Sequence, residues 1–232
     1  MTEDELLERI LYRDGMMLVV DKPAGIAVHK PPGGGESLED YFDVLRFGLP
    51  RPPALAHRLD RPTSGCLVLG RHPKALRKLA KLFADGQVEK KYWAIVCATP
   101  QRADGLMDLP LLKRAQGGHQ WQMMVDAQGK PAKTEYRVLG RADDGTCWLE
   151  LRPLTGRTHQ LRVHCAHQGF AILGDRLYGD HAGTFQDVPL QLHARRIEIP
   201  LAANKPPIVV EAEPPDHLLA QLEKCGFSTL TP

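Results

Sequence analysis

KTEYRVLGRADDGTCWLELRP, residues 133–153, decides the fold class. Its two ends, KTEYRVLG (133–140) and TCWLELRP (146–153), are rich in β-branched and aromatic residues and partly alternate apolar with polar positions, as half-buried strands do. Only a short polar segment lies between them, too little for a helix. Strands that follow one another so directly argue against a doubly wound sheet, whose parallel neighbours need a crossover of roughly a dozen residues or more. The expectation is an α+β fold with a mixed, largely antiparallel sheet flanked by helices and loops.

The same reading extends outward. VEKKYWAIVCA (88–98), LQLHARRIEI (190–199) and IVVEAE (208–213) are strand-like, and MMLVVDK (16–22) has the continuous apolar run of a buried strand that ends at the turn KPAG (22–25). CLVLG (66–70) is a strand leaving a Pro-Thr-Ser-Gly turn. The clearest helix is PKALRKLAKLFADG (73–86), with Leu76, Leu79, Ala80 and Phe83 on one face, Pro73 at its start and Gly86 at its end. HQLRVHCAHQG (159–169) and DHLLAQLEKCG (216–226) are helices ending at glycine. After the loop PPGGGES (31–37), Ser37 and Asp40 have N-cap spacing for a short helix stopped by Gly48 and Pro50. The Gly-, Gln- and Asp-rich stretch 99–131 is expected to be an insertion or flap. No repeat or long linker divides the chain, so residues 1–232 are expected to form one domain.

With 232 residues and 43% hydrophobic content, the chain can build a substantial core. Its apolar runs, such as Met16–Val20 and Tyr92–Ala98, fall far short of the roughly 20 residues of a membrane helix. The acidic start MTEDELLER lacks the basic-then-apolar order of a signal peptide, so a cytoplasmic location is expected. Five scattered cysteines with no C-x-x-C pair are expected to be reduced and mainly buried. Residues 1–45 carry ten carboxylates against four cations, whereas residues 51–92 carry ten cations against three carboxylates. A basic field of that kind attracts a polyanion such as RNA, although a solvated basic helix would give the same count.

Within the basic block stands HRLDRPTSG (57–65), with Asp60 between Arg58 and Arg61. A surface ion pair is the ordinary reading, worth about 0–1 kcal/mol. The alternative is a carboxylate kept ionised for chemistry on an anionic substrate. Asp60 is the conspicuous carboxylate of this segment, which lacks the second acid of a glycosidase and the acidic metal ligands of a phosphoryl-transfer enzyme. His159, His164, Cys165 and His167 raise a metal-dependent hydrolase as a further reading, but the spacing is not H-E-x-x-H and Arg157 and Arg162 would repel a cation. Asp175, in LGD (173–175), is more simply a turn residue.

HRLDRPTSG resembles the signature of the RluA family of RNA pseudouridine synthases. VDKPAGIAVH (20–29) resembles that family's first motif, KKYWAIV (90–96) its tyrosine-bearing strand, and PLTGRTHQLRVHCAHQGFAILGDRLYGD (153–180) its long third motif. The resemblance implies isomerisation of uridine in RNA: the N-glycosidic bond breaks, the uracil turns, and its C5 joins the ribose. It implies Asp60 as the essential aspartate, acting at the sugar as nucleophile or base, with Arg162 as its basic partner. It implies Tyr92 against the uracil, with a role in the final C5 deprotonation. The target nucleotide is flipped from its stack, with Arg58 filling the vacated space. Arg61 and Arg157 are candidate phosphate contacts. His57, Thr63 and Gly65 are expected to shape the loop that presents Asp60.

Cys66, Cys97 and Ala171 depart from the family pattern without removing a chemical group. Because few residues precede Met16, the expectation is a stand-alone catalytic domain without the S4-type RNA-binding domain of larger relatives. The resemblance further implies RNA (rRNA or tRNA) as partner, neither metal nor organic cofactor, no membrane association, no obligatory protein partner and a monomer. A non-catalytic RNA-binding protein of the same fold is the competing reading.

Overall fold

The run of apolar residues in CLVLG requires cover on both faces, and in the computed structural model it has it. The structure describes residues 1–31, 33–115, 121–179, 188–202 and 204–228. One position of the expected loop (32), positions 116–120 of the expected insertion and the last position of the third motif (180) lie outside the described residues. The chain divides into two compact units, Met1–Lys90 with His193–Pro214 and Lys91–Leu192 with Pro215–Pro232.

In the first unit, α1 (Glu3–Glu8) leads through β1 (Ile10–Arg13) to β2 (Met17–Lys22), a 3-10 helix (Leu38–Arg46), β3 (Ala54–Leu55), β4 (Ser64–Gly70) and α2 (Pro73–Ala84). β4 is buried along its whole length. It pairs antiparallel with β2, in a register that sets Lys22 opposite Gly65, and antiparallel with β3. It pairs parallel with β11 (Leu192–Ile199), which carries β12 (Ile208–Glu211) antiparallel. Met17, Val19, Cys66 and Val68 pack with Leu79 and Leu82 of α2 and Ile197 and Ile199 of β11. Alternate residues point to opposite faces of a strand, so Leu18, Val20, Leu67 and Leu69 turn the other way, and they too are fully buried. The buried stripe of α2 is Ala75, Leu79 and Leu82, whereas Ala80, expected on that stripe, is exposed.

In the second unit, the opening hairpin is β9 (Lys133–Arg141) against β10 (Cys147–Pro153). β10 also pairs with β5 (Glu89–Val96), and β6 (Asp104–Asp108) joins the far edge of β9, all antiparallel. α3 (Gln160–His167) contributes Leu161 and Cys165 to a core with Ala94, Val96, Leu149 and Leu151. α4 (Asp216–Lys224) packs Leu218 and Leu222 against Ile95 and Trp148. β7 (Leu111–Ala115) and β8 (Trp121–Val125) form a separate two-stranded ribbon.

The fold is therefore α+β with a mixed, largely antiparallel arrangement, as expected. The stretch 99–131 departs from expectation, because β6, β7 and β8 are regular strands. Their side chains are mostly exposed or half-buried, so a charged and glycine-containing sequence forms strands through edge pairing rather than burial. α1 was not expected; Thr2 and Glu5 form a reciprocal capping box at its start. The helix after Ser37 is 3-10 rather than α. All five cysteines are free thiols, four of them buried and Cys97 exposed.

Gly65 sits at φ +104°, and a Cβ there would lie 2.4 Å from the backbone oxygen of Ala194 on β11. Gly65→Ala is expected to destabilise the protein by about 2–4 kcal/mol through combined backbone strain and collision. The shift of its urea unfolding midpoint measures this.

Candidate active site

Asp60 stands on a turn tied to the first unit at several points. The Asp60 carbonyl accepts from the Thr63 amide at 3.0 Å, closing a four-residue turn around Arg61 and Pro62. The Arg61 carbonyl accepts from the Gly25 amide at 2.9 Å, and Arg61 Nε donates to the Gly25 carbonyl at 2.8 Å. The turn after β2 and the Asp60 turn are thus joined in both directions.

Between them lies Lys22, fully buried. Its Nζ donates to the carbonyls of Pro23 (2.7 Å), Ile26 (2.9 Å) and Arg61 (3.1 Å), using all three ammonium donors. Burial pushes this ammonium down to about 7, against the opposing pull of the Asp60 and Asp21 carboxylates. Asp60 is half-buried, whereas Arg58 and Arg61 are exposed. A carboxylate on a pinned turn, within electrostatic reach of a buried cation and flanked by exposed guanidiniums, suits chemistry on an anionic substrate.

The residues around the turn are structural, as expected. His57 stacks on Phe83 at 4.5 Å, and its Nε2 accepts from the Val68 amide at 3.0 Å. Desolvation, with the Lys90 charge adding to it, drives the imidazole down to about 3. Thr63 is buried. Ser64 Oγ donates to Nδ1 of buried His193 at 2.9 Å, because His193 Nε2 donates to the Ala212 carbonyl at 3.0 Å.

The remaining candidates belong to the second unit. Tyr92, on β5 opposite Leu151 of β10, is half-buried and packs on the core that holds Leu161. Arg162, on α3, is buried and makes a bidentate pair with Asp175: Nε to Oδ2 at 2.8 Å and Nη2 to Oδ1 at 2.6 Å. Asp175 Oδ1 also accepts from the amides of Leu177 and Tyr178. The guanidinium carbon lies 5.1 Å from the Tyr178 ring centroid. Arg157 is exposed, with Nε on the Pro131 carbonyl at 3.1 Å.

His164 is a satisfied core histidine: Nε2 donates to the Leu109 carbonyl and Nδ1 accepts from Thr134 Oγ1, both at 3.0 Å. Burial lowers its pKa, which keeps the ring neutral. Among the described residues no cluster of His, Cys, Asp and Glu is suited to hold a metal ion.

Two supporting residues were not read as such from the sequence. Lys22 stood in a turn signal and in the first motif but was given no role, since composition does not distinguish a buried lysine from a solvated one. Asp175 was read as a turn residue. It does occupy a turn, but its carboxylate also fixes the guanidinium of Arg162.

The family model described as RNA pseudouridylate synthase matches residues 16–167. An uncharacterised RNA pseudouridine synthase of Zymomonas mobilis is 43% identical over 212 residues, covering 90% of this chain and 95% of that protein. The dual-specificity RNA pseudouridine synthase RluA of Escherichia coli K12 is 39% identical over 193 residues, covering 82% and 85%. Among solved structures, human RNA pseudouridylate synthase domain containing 4 superposes with a TM-score of 0.81 at 28% identity, covering 96% of this chain and 95% of that one.

Lys22→Met keeps the bulk but removes the ammonium from the Pro23 and Ile26 carbonyls and one of two donors from that of Arg61, and is expected to cost about 2–5 kcal/mol in chemical denaturation. Proton linkage gives a second expectation. Unfolded His57 takes up a proton near its ordinary 6.5, whereas the folded ring stays neutral down to about 3. The unfolded state therefore binds more protons in that window, and stability falls as pH drops through it. In His57→Gln the pH dependence of the unfolding free energy between those values should be shallower by up to one proton.

Proposed function

This chain belongs to the RNA pseudouridylate synthase family and isomerises uridine in RNA, and from that premise we propose that Asp60 is the carboxylate acting at the sugar. The observation that carries the assignment is the pinned turn: Lys22, Gly25 and Thr63 hold the backbone on either side of a half-buried carboxylate. The N1–C1′ bond breaks, the uracil rotates, and C5 bonds to C1′. The C5 proton then leaves while N1 gains one, so the product is an isomer and no co-reactant is consumed.

Arg162 supplies the basic group that favours an ionised carboxylate, held in place by Asp175. Tyr92 lies against the uracil ring and takes part in the C5 deprotonation. The uridine is flipped out of its stack, and the exposed guanidinium of Arg58 fills the space it leaves. Arg61 and Arg157, each anchored through Nε, turn their exposed ends to phosphates.

The substrate is structured rRNA or tRNA, and more than one RNA target would accord with the dual specificity of the Escherichia coli relative. The two units work as one catalytic domain, monomeric, cytoplasmic, and without metal, organic cofactor or obligatory protein partner. No helix among the described residues is long and apolar enough to cross a membrane.

RNA tritiated at uracil C5 tests the assignment. The native chain is expected to release tritium, Asp60→Asn to lower the single-turnover rate at least about 10³-fold, and Tyr92→Phe to lower it about 10²–10⁴-fold. Release that survives Asp60→Asn would remove the role given to Asp60, and binding without any release by the native chain would favour a pure RNA binder.

A further inference from the structure

One face of the β7–β8 ribbon is anchored along part of its length. Leu111, Met123 and Val125 pack with Val163 of α3 and with Tyr178, and the Met123 amide donates to the Tyr178 hydroxyl at 3.1 Å. At the start of β8, Trp121 stays 39% exposed, one of the few large apolar side chains left so. Alternation along β8 puts Trp121 on the same face as Met123, one step further along the ribbon, where it remains partly exposed.

There Trp121 is held as a flat surface. The His159 ring lies nearly parallel to it, 5.7 Å between centroids and 13° between planes. His159 is itself fixed: the Tyr178 hydroxyl, which accepts from Met123, donates to His159 Nδ1 at 2.7 Å. The left-handed backbone of His159 (φ 54°) turns the ring off the start of α3. Tyr178 continues the series to Arg162. The indole also carries the ammonium of exposed Lys113, 4.1 Å from its centroid.

A partly exposed aromatic plane, backed by a fixed ring and covered by an exposed cation, is the chemistry that receives a nucleobase. The base takes the ring face, and the ammonium moves to the adjoining phosphate. An exposed cation–π contact is weaker than a base–aromatic stack, so the exchange runs toward the base.

We propose that Trp121 is a stacking platform for an unpaired base of the substrate RNA other than the target uridine, with Lys113 neutralising the phosphate beside it. The proposal rests on RNA being the substrate and adds a second point of purchase outside the reacting nucleotide. Stacking tolerates any base, so the platform selects an unstacked nucleotide at a fixed place in the RNA rather than a particular letter.

The probe is a set of unmodified in vitro transcripts of transfer and ribosomal RNA, with the full chain. Of its three tryptophans, Trp93 and Trp148 lie in a mutual aromatic cluster with Phe227, so they serve as an internal reference. RNA should quench native tryptophan fluorescence, and Trp121→Phe, which preserves a ring, should abolish most of that quench. Trp121→Ala should weaken RNA binding about ten-fold and raise KM correspondingly, with Trp121→Phe intermediate. Lys113→Gln should reduce the slope of log affinity against log salt by about one.

Native-like affinity in Trp121→Ala, or an unchanged quench in Trp121→Phe, would overturn the platform. If the native chain turns over RNA and the Trp121 variants match it, only the platform fails. If RNA quenches Trp121 but no tritium is released, the platform stands and the catalytic assignment fails. If native protein binds no RNA, both fail.

Discussion

A buried ammonium organises the turn that presents the carboxylate proposed to act at the sugar. β2 and β4 pair until Lys22 faces Gly65, and there the ladder ends, with each chain entering a turn. Carbonyls at such a point have lost their strand partners, and leaving several of them buried without donors would cost more than the fold can spare. Lys22 answers with one side chain, since an ammonium offers three donors in three directions and the carbonyls of Pro23, Ile26 and Arg61 occupy all of them. Burying the cation is itself costly, and the carboxylates of Asp21 and Asp60 offset part of that cost. The same cation thereby joins the two turns and lies in the field of the carboxylate that one of them presents.

The second unit holds another buried cation, this time with a carboxylate. Arg162 is buried on α3, where an isolated guanidinium would be intolerable. Asp175 receives it in a two-point fork and uses its remaining capacity on the amides of Leu177 and Tyr178. The fork fixes the plane of the guanidinium as well as its position, which a lysine could not provide. In each unit at least one group that holds the buried cation, Arg61 in the first and Asp175 in the second, comes from beyond its own element, so both cations are aimed by tertiary structure.

How much of this was legible in the sequence follows from which signals are local. β2, β4, β9 and β10 declared themselves because burial on one or both faces leaves an apolar pattern in the residues themselves. β6, β7 and β8 did not, because strands such as Asp104–Asp108 and Leu111–Ala115 take their order from a hydrogen-bonded neighbour and carry charged or glycine positions toward solvent. The α2 stripe was placed half a turn off at Ala80, where the small side chain could face either way and neighbouring packing decided. Asp60, Tyr92 and Arg162 were picked out by their motifs, whereas the partners of those residues were hidden. Lys22 and Asp175 are ordinary surface residues by composition, and only the fold makes them interior ions.

Charge counting shows the same limit more sharply. The excess of cations in residues 51–92 suggested a broad RNA-facing surface, but several cations of this chain are committed to the fold. Arg71 donates to the backbone carbonyls of Asp14, Arg46 and Phe47, and Arg61 and Arg157 each use Nε on a carbonyl. The acidic lead is equally occupied: Glu5 and Asp40 cap helices, and Asp14 accepts from the amides of Met16 and Met17. An anchored arginine can still meet a phosphate through its outer nitrogens, but it does so from a fixed direction and with little conformational freedom left to lose. The basic segment is therefore better understood as a few anchored, directed guanidiniums than as a diffuse positive surface.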